Sequence, residues 1–274
     1  RMQVHRHSSG RAGRLHMRRV WLTLRSAVLW ALSLLHFGIS VPILVVLAFI
    51  FDPRKHDWLQ RAFCRRIIFF AGTRVKAAAS PGFDPKRTCI FISNHVNLFD
   101  PFALYCAIPQ FTRGWELESH FRIPIYGLLM KRFGNVPVPD VRRPGDLKRL
   151  WRLTKDAIDG GMSLIVFPEG KRTRDGRVDE FQLGAFRLAQ QLNIPLVPVS
   201  LVGSFRHHAT GKWMFWPAEI IVHLHDTIDL SNMSKHEVPA LRDRVHAIVS
   251  APVAAALDLS ANQSELEEKE AATN

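Results

Sequence analysis

A histidine and an aspartate stand five positions apart in the stretch FISNHVNLFD, residues 91–100. Spacing alone favours a modest interpretation, in which Asp100 caps a helix that Pro101 begins and His95 is an ordinary loop residue. In the alternative, a tight loop folds the carboxylate onto one imidazole nitrogen and leaves the other nitrogen free as a general base. Such a pair activates a hydroxyl group without requiring a nucleophile from the protein.

A second cluster, SLIVFPEGKRTRDG at residues 163–176, brings a glutamate, a glycine and several cations to the end of an apolar run. Open α/β sheets usually build their sites at such strand ends. Cations on a turn suit a phosphate group, which a guanidinium can bind through two hydrogen bonds. The alternative is a solvated basic loop, because the whole chain is basic. The candidate residues are Glu169, Gly170, Lys171 and Arg172.

Taken together, the two clusters resemble the phospholipid and glycerol acyltransferase family. NHVNLFD resembles its first block, N-H-x-x-x-x-D, and FPEGKRT resembles its third, F-P-E-G-T-R-S. IPLVPVSLVGS, residues 194–204, resembles the fourth block, and residues 121–143 resemble the segment that leads to the second. The similarity covers about residues 85–205 and points, within the family, to the 1-acylglycerol-3-phosphate (lysophosphatidate) acyltransferases.

This resemblance implies a role for each matched residue. In the family the histidine deprotonates the acceptor hydroxyl, which attacks an acyl thioester directly, and the aspartate orients the histidine; His95 and Asp100 match those positions. The third-block glutamate and arginine help bind the glycerol-phosphate acceptor, which implies that role for Glu169 and Arg172, with Gly170 allowing close backbone approach. The implied reaction transfers a fatty acyl group from acyl-CoA or acyl carrier protein to 1-acylglycerol-3-phosphate and gives phosphatidic acid. It needs neither a metal nor a bound cofactor.

The second block departs from the family pattern. It usually ends in an arginine six residues after a glycine, but counting from Gly134 leads to Asp140. Arg142 and Arg143 lie two and three residues further on. Either arginine is expected to reach the same phosphate if the loop bulges, and Arg142 is preferred.

Two further departures concern charge near the acceptor. Glu118 stands about where many family members have a lysine, and Lys171 replaces the usual threonine of the third block. Lost positive charge at one position and added charge at the other put the acceptor headgroup in question. Acylation of another lyso-lipid, such as a lysophospholipid or a lyso-aminolipid, therefore remains an alternative, as does a non-catalytic lipid-binding protein.

Alternating patterns predict the elements that position these residues. Strands are predicted at 88–93, 163–167, 196–202 and 219–226, and helices at 101–108, 146–159 and 184–192. Such alternation is typical of an α/β fold with a mixed, largely parallel sheet flanked by helices. We expect a catalytic domain over residues 81–257 and a polar, acidic tail over residues 258–274.

The N-terminal part of the chain predicts attachment to a membrane. Residues 1–25 contain seven arginines and no acid, and residues 26–51 contain no charged residue. A single helix over the apolar stretch would span roughly 39 Å, enough for the roughly 30 Å hydrocarbon core. Because glycine, serine and proline interrupt the run at 38–42 and basic residues stand at both ends, we favour a membrane hairpin of helices at about 26–38 and 42–51 over a single span.

Residues 52–80 predict an amphipathic helix and a linker. Arginines and apolar residues alternate over 57–74 at roughly helical spacing, so this helix either lies on anionic lipid or packs on the domain with its basic side in solvent. The net charge of +13 implies a polyanionic partner. Anionic membrane lipid fits better than nucleic acid, for which no binding motif is present.

The three cysteines form no C-x-x-C pair, and their odd number favours a reducing compartment over a disulfide framework. Together with the membrane segment, this predicts a catalytic domain on the cytoplasmic face of the inner (plasma) membrane.

Overall fold

The computed structural model describes the backbone of residues 5–140 and 143–273, with side chains between residues 16 and 259 in those ranges. The strands are β1 (Arg74–Ala79), β2 (Ile90–Ser93), β3 (Thr112–Leu117), β4 (Val136–Val138), β5 (Ser163–Val166), β6 (Leu196–Val202) and β7 (Glu219–Leu224). The helices are α1 (His5–Ile50), α2 (Asp57–Phe70), α3 (Asp100–Ala107), α4 (Tyr126–Phe133), α5 (Asp146–Asp159), α6 (Leu183–Gln191), α7 (Ser204–His207) and α8 (Val238–Thr273), and a 3₁₀ helix spans Glu118–Arg122.

The strands form one sheet in the order β1-β7-β6-β2-β5-β3-β4. Every neighbouring pair is parallel except β6 and β7, which are antiparallel. The predicted mixed, largely parallel sheet flanked by helices is confirmed. Because β2 lies between β5 and β6 and runs parallel to both, the carboxyl ends of these three strands meet at one edge of the sheet.

Helices cover both faces of the sheet. One apolar core joins the sheet to α1, α2, α3 and α4, and a second joins its other face to α5, α6 and α8. The central strands β2 and β5 are buried along their whole length, which explains why they read as continuous apolar runs. The loops at the carboxyl edge of the sheet therefore start from strands that are packed on both faces.

Helix α1 differs from the expected hairpin. It continues without a break through Pro42, so the chain does not reverse between residues 38 and 42. The residues around the proline explain the difference: Val41 and Leu44 are buried in the core on the α1 side of the sheet, where α1 contacts α2 and α4. Tertiary packing therefore stabilises helical backbone at a proline that, in the sequence, reads as a break.

The described part of α1 has two opposite faces. Residues 22, 26, 33, 41, 44, 45 and 48 are buried against the domain. Residues 17, 21, 24, 28, 32, 35, 39, 43, 46 and 50 are apolar and exposed, at spacings of three and four that form one stripe along the helix. Within the described residues, His16–Ile50 is the one stretch long and apolar enough to cross a membrane by length and composition.

Residues 52–80 are more ordered than the predicted linker. β1 is an edge strand in which five of six residues are exposed, so its sequence RVKAAA carries no apolar strand pattern. Helix α2 buries Phe63 and Ile67, while Arg65 and Arg66 face solvent. Arg61 donates to the carbonyl oxygens of residues 105, 108 and 110, in the last part of α3 and just after it. Helix α2 thus packs on the domain with a basic outer side, the second of the two expected arrangements.

Candidate active site

His95 and Asp100 form a hydrogen-bonded pair in the loop between β2 and α3. The Nδ1 atom of His95 lies 2.9 Å from Oδ2 of Asp100. Because the carboxylate is an acceptor, Nδ1 is the nitrogen that carries the proton, which leaves Nε2 with a free lone pair. The carboxylate is fully buried, whereas the imidazole is about one-fifth exposed. The pair therefore has the geometry of an oriented general base.

The loop that closes this pair is tight. Oδ2 of Asp100 also accepts the backbone N–H groups of Val96 and Asn97, the latter at 2.8 Å. Asp100 is the first residue of α3, with Pro101 next, but its carboxylate holds the preceding loop and makes no cap hydrogen bond with the helix. The expected cap is therefore wrong, and the structure has the second interpretation, in which the carboxylate folds back onto the imidazole.

Glu169 joins the loop after β5 to the loop after β2. Its Oε1 accepts the backbone N–H of His95 at 2.7 Å, and its Oε2 accepts the backbone N–H of Asp179 at 2.9 Å. The residue is only 3% exposed. Burial raises the pKa of this carboxyl to about 7, although both N–H groups act in the opposite direction. Glu169 thus holds the backbone on which His95 stands.

The imidazole faces a cavity of about 570 Å³. The ring of Phe167 stacks on that of His95 with centroids 4.0 Å apart. Away from His95, the lining of the cavity is mostly apolar and reaches α1 and α2, at Phe37, Val41, Leu44 and Phe63. The cavity therefore joins the histidine to a long apolar space under the N-terminal helix.

The cations of the third block lie beside the histidine. Arg172 lines the cavity, and no hydrogen bond or ion pair is found for its guanidinium among the described residues. Lys171 also lines the cavity, but its Nζ lies 3.2 Å from a carboxylate oxygen of Asp179. Gly170 has a φ of +69°, and a Cβ there would lie 2.6 Å from the Gln182 amide, so glycine suits this turn.

Of the two predicted second-block arginines, the structure describes Arg143 only, and it lies away from the cavity with His95. Arg142 is outside the described residues. Arg143 lines a separate, polar pocket of about 460 Å³, together with Glu118, Asp140 and Arg149. There Glu118 pairs with Arg149 at 2.8 Å, so its carboxylate is already neutralised and does not line the cavity with His95. The structure thus brings the first and third blocks together and places Arg143 in a different pocket.

Sequence reasoning missed several residues of the site. Ser204, after β6, donates from Oγ to Oδ1 of Asp100, and Asn97 bonds to Ser204 in turn. Phe167 was noted only as the end of a strand. Asn97 stands inside the first block as a variable position, and Ser204 closes the fourth block, so proximity to the blocks was the one available signal.

Comparison with known proteins shows which proteins this chain is similar to. A family model described as Acyltransferase matches residues 73–202. The chloroplastic 1-acyl-sn-glycerol-3-phosphate acyltransferase BAT2 of Brassica napus is 36% identical over 127 residues, which cover 45% of this chain and 36% of that protein. The chloroplastic LPAT1 of Arabidopsis thaliana is 31% identical over 190 residues, covering 64% of this chain and 51% of that protein. The chain thus spans about half, or less, of the length of these two relatives.

A solved structure has the same fold. It is the crystal structure of the 1-acyl-sn-glycerophosphate (LPA) acyltransferase PlsC from Thermotoga maritima, with a TM-score of 0.70 at 22% sequence identity. The similarity covers 86% of this chain and 96% of that one. Through residues 73–202, with His95, Asp100 and Glu169 at adjacent strand ends, this chain is similar to the acyltransferase family.

Proposed function

We propose that this chain is a membrane-associated O-acyltransferase that moves a fatty acyl group from a thioester to the free hydroxyl of 1-acylglycerol-3-phosphate, giving phosphatidic acid. The observation that carries the proposal is the His95–Asp100 pair at the mouth of a long apolar cavity, with Arg172 beside it. The base and the unpaired cation match the hydroxyl and the phosphate of such an acceptor, and the apolar cavity matches a fatty acyl chain. The names of the relatives support the same substrate.

The proposed chemistry is a direct transfer. His95 Nε2 takes the proton of the acceptor hydroxyl, and the oxygen attacks the thioester carbonyl carbon. The C–S bond of the tetrahedral intermediate then breaks, and the imidazolium returns its proton to the thiolate that leaves. Asp100 stabilises the imidazolium that forms between these two steps. Because both substrates are held beside one base, the reaction requires positioning more than any further reactive group.

Arg172 is the proposed ligand of the acceptor phosphate. A guanidinium without an acidic partner is able to bind a phosphate through two hydrogen bonds. Lys171 lies beside Arg172, but its positive charge is compensated by its pair with Asp179. Glu169 holds the backbone of the site in place, because its two carboxylate oxygens accept the backbone N–H groups of His95 and Asp179. The proposal gives no direct contact to Arg143, which lines the other pocket.

The thioester donor is acyl-CoA or acyl carrier protein, and we propose that no metal or bound cofactor takes part. The apolar length of the cavity, from His95 to Val41 and Leu44, suits a fatty acyl chain. Both possible donors present the same thioester carbonyl to the histidine. The choice between them depends on the carrier, which the apolar cavity does not contact.

One observation favours another acceptor. Glu116 lines the cavity, and its carboxylate is hydrogen bonded to the imidazole of His120. An acidic side chain inside the cavity suits a lyso-lipid whose headgroup carries an amine. The alternative acceptor therefore rests on Glu116 and not on Glu118, because Glu118 is paired with Arg149 outside the cavity.

A panel of lyso-lipid acceptors tests the assignment. Purified protein is supplied with acyl-CoA or acyl carrier protein donors, and acylation of lysophosphatidate is compared with that of zwitterionic and amine-bearing lyso-lipids. We expect lysophosphatidate to give the highest kcat/KM. Turnover of an amine-bearing acceptor but not of lysophosphatidate would establish the alternative. No turnover with any acceptor, together with unchanged lipid binding by His95→Ala, would indicate a lipid-binding protein.

We propose that α1 lies in the plane of one leaflet on the cytoplasmic face of the inner membrane. Its exposed stripe is apolar over residues 17–50, roughly 50 Å at 1.5 Å per residue, while its opposite face is buried on the domain. A helix that carries the domain along its length cannot stand across a bilayer without drawing the domain into hydrocarbon. Arginines of α2 and of the N-terminal segment would contact anionic lipid headgroups.

Topology and binding measurements test this orientation. An epitope at the extreme N-terminus is expected to be cleaved by protease from the same side as the catalytic domain, whereas a spanning helix predicts opposite sides. Leu35→Glu, in the exposed stripe, should reduce flotation with anionic vesicles. Leu147→Glu on α5 is the matched control, because Leu147 is also exposed but lies on the other face of the sheet. Equal effects of the two variants would contradict the assignment.

A further inference from the structure

Asp100 has a second support that the proposed chemistry does not use. Its Oδ2 serves His95 and the loop backbone, while its Oδ1 accepts the hydroxyl of Ser204 at 2.5 Å. Ser204 follows β6 and lies 104 positions from Asp100 in the chain. Both residues are fully buried. A buried polar oxygen is costly unless it is hydrogen bonded, so this contact satisfies the carboxylate oxygen that faces away from His95.

The direction of the Ser204 hydrogen bond is set by Asn97. The amide oxygen of Asn97 accepts the backbone N–H of Phe99 at 2.8 Å, which fixes its NH₂ group on the opposite side. That NH₂ group donates to Oγ of Ser204 at 3.0 Å and to the carbonyl oxygen of His208 at 2.8 Å. Because Oγ receives a hydrogen bond from Asn97, its own proton points to Asp100.

The position of Ser204 is held by the backbone before it. Gly203 has a φ of +84°, and a Cβ there would lie 2.1 Å from the carbonyl oxygen of Glu219. Only glycine fits this close approach of β7, which places the next residue at the start of α7, above the end of β2. The same β6 strand also binds the first block through Asn94, whose side-chain oxygen accepts the Leu201 N–H at 2.7 Å.

We propose that Ser204 is a positioning residue of the acyl transfer: the chain of hydrogen bonds from Asn97 through Ser204 to Asp100 keeps the carboxylate aimed at His95. The inference rests on the proposed function of the His95–Asp100 pair. It extends the support of the pair from the end of β2 to the end of β6, so that these two strands together determine the position of His95.

Ser204→Ala tests the inference against Ser200→Ala. Ser200 is the matched control, since it is also fully buried at β6 and its hydroxyl bonds to His225 and to the Val249 carbonyl, away from the site. Loss of a hydrogen bond to a charged group is expected to lower kcat of Ser204→Ala by roughly 10- to 100-fold, with KM for both substrates changed less than about twofold. Ser200→Ala should keep kcat near that of the parent protein.

The pH profile separates positioning from mere stability. Without the Ser204 proton, the buried carboxylate keeps more negative charge beside the imidazole, so the His95–Asp100 pair binds a proton more strongly. The acid limb of kcat/KM should therefore move to higher pH in Ser204→Ala and stay in place in Ser200→Ala. Where the alanine variant does not fold, Ser204→Cys decides, because a thiol of similar shape is a weak donor and should give the same direction of change.

The outcomes are distinct from those of the proposed function. The parent protein is first assayed with whichever lyso-lipid it acylates, so a wrong acceptor does not affect the comparison. Parent-like kcat and an unmoved acid limb in the Ser204 variant would overturn the inference. Equal losses of kcat and of thermal stability in the Ser204 and Ser200 variants would also overturn it, since they would show a structural role only.

Discussion

At its polar end, the cavity is lined by His95, which Asp100 and Glu169 hold by hydrogen bonds from outside the cavity. At its apolar end it is lined by Phe37, Val41 and other mostly apolar residues of α1 and α2. Hydrogen bonds fix directions, whereas apolar packing fixes only shape and volume. If the proposed function is right, we expect the first end to set the rate of acyl transfer and the second to set which acyl chain is accepted.

Removing the base should give the largest effect. His95→Ala leaves the cavity open but removes the group that takes the acceptor proton, so kcat is expected to fall by roughly 1,000-fold. Steady-state kinetics and vesicle flotation check this, and lipid binding should be unchanged because the apolar end is intact. The comparison of the two ends fails if the residual activity shows a different acyl-chain preference.

The buried Glu169 carboxyl should make stability depend on pH. Its pKa is raised to about 7 in the folded protein, so between about 4.5 and 7 the folded state holds a proton that the unfolded state releases. The free energy of unfolding should therefore fall as pH rises through this window, by roughly 3 kcal/mol. Denaturant titrations of the protein and of Glu169→Gln measure it; the variant should lose this slope.

Glu180→Gln is the control for this measurement, since Glu180 is exposed at the surface and should leave the slope unchanged. A slope of the same size in Glu169→Gln would mean that another group carries the pH dependence. The Glu169 carboxyl would then not be the group that makes the free energy of unfolding depend on pH between 4.5 and 7.

Removing the cavity arginine should affect one substrate only. Arg172→Ala is expected to raise KM for the lyso-lipid acceptor by roughly 10- to 100-fold, because a charge-assisted pair with phosphate is lost, and to change KM for the donor little. Arg143→Ala is the comparison variant, since Arg143 lines the other pocket. Equal effects on acceptor and donor, or a larger effect of Arg143→Ala, would remove Arg172 as the phosphate ligand.

The apolar end gives the smallest expected effect. Val41→Phe narrows the cavity beneath α1. The kcat/KM for the donor with the longest accepted acyl chain should therefore fall roughly 10-fold, while donors with shorter chains are used as before. Val46→Phe, on the exposed face of the same helix, should leave the chain profile unchanged. A uniform loss with all chains in Val41→Phe would show that the apolar end also supports the histidine.

The sequence predicted the central strands and helices better than the edges of the fold. β2, β5 and β6 have continuous apolar runs because they are buried on both faces. β1, β3 and β4 were not predicted: β1 is exposed, β3 is buried only at its first two residues, and β4 has three residues. The hairpin expected in α1 was wrong, because the contacts that keep the helix whole at Pro42 come from residues far along the chain.

By itself the sequence determined the chemistry of the short-range motif. His95 and Asp100 are five positions apart, so one tight loop brings them together, and local geometry follows from local sequence. Only the tertiary structure decided which residues support this pair. Glu169 lies 74 positions from His95 and Ser204 lies 104 positions from Asp100, and they meet because β5 and β6 flank β2 in the sheet. Strand order depends on the packing of the whole chain, which no single motif encodes.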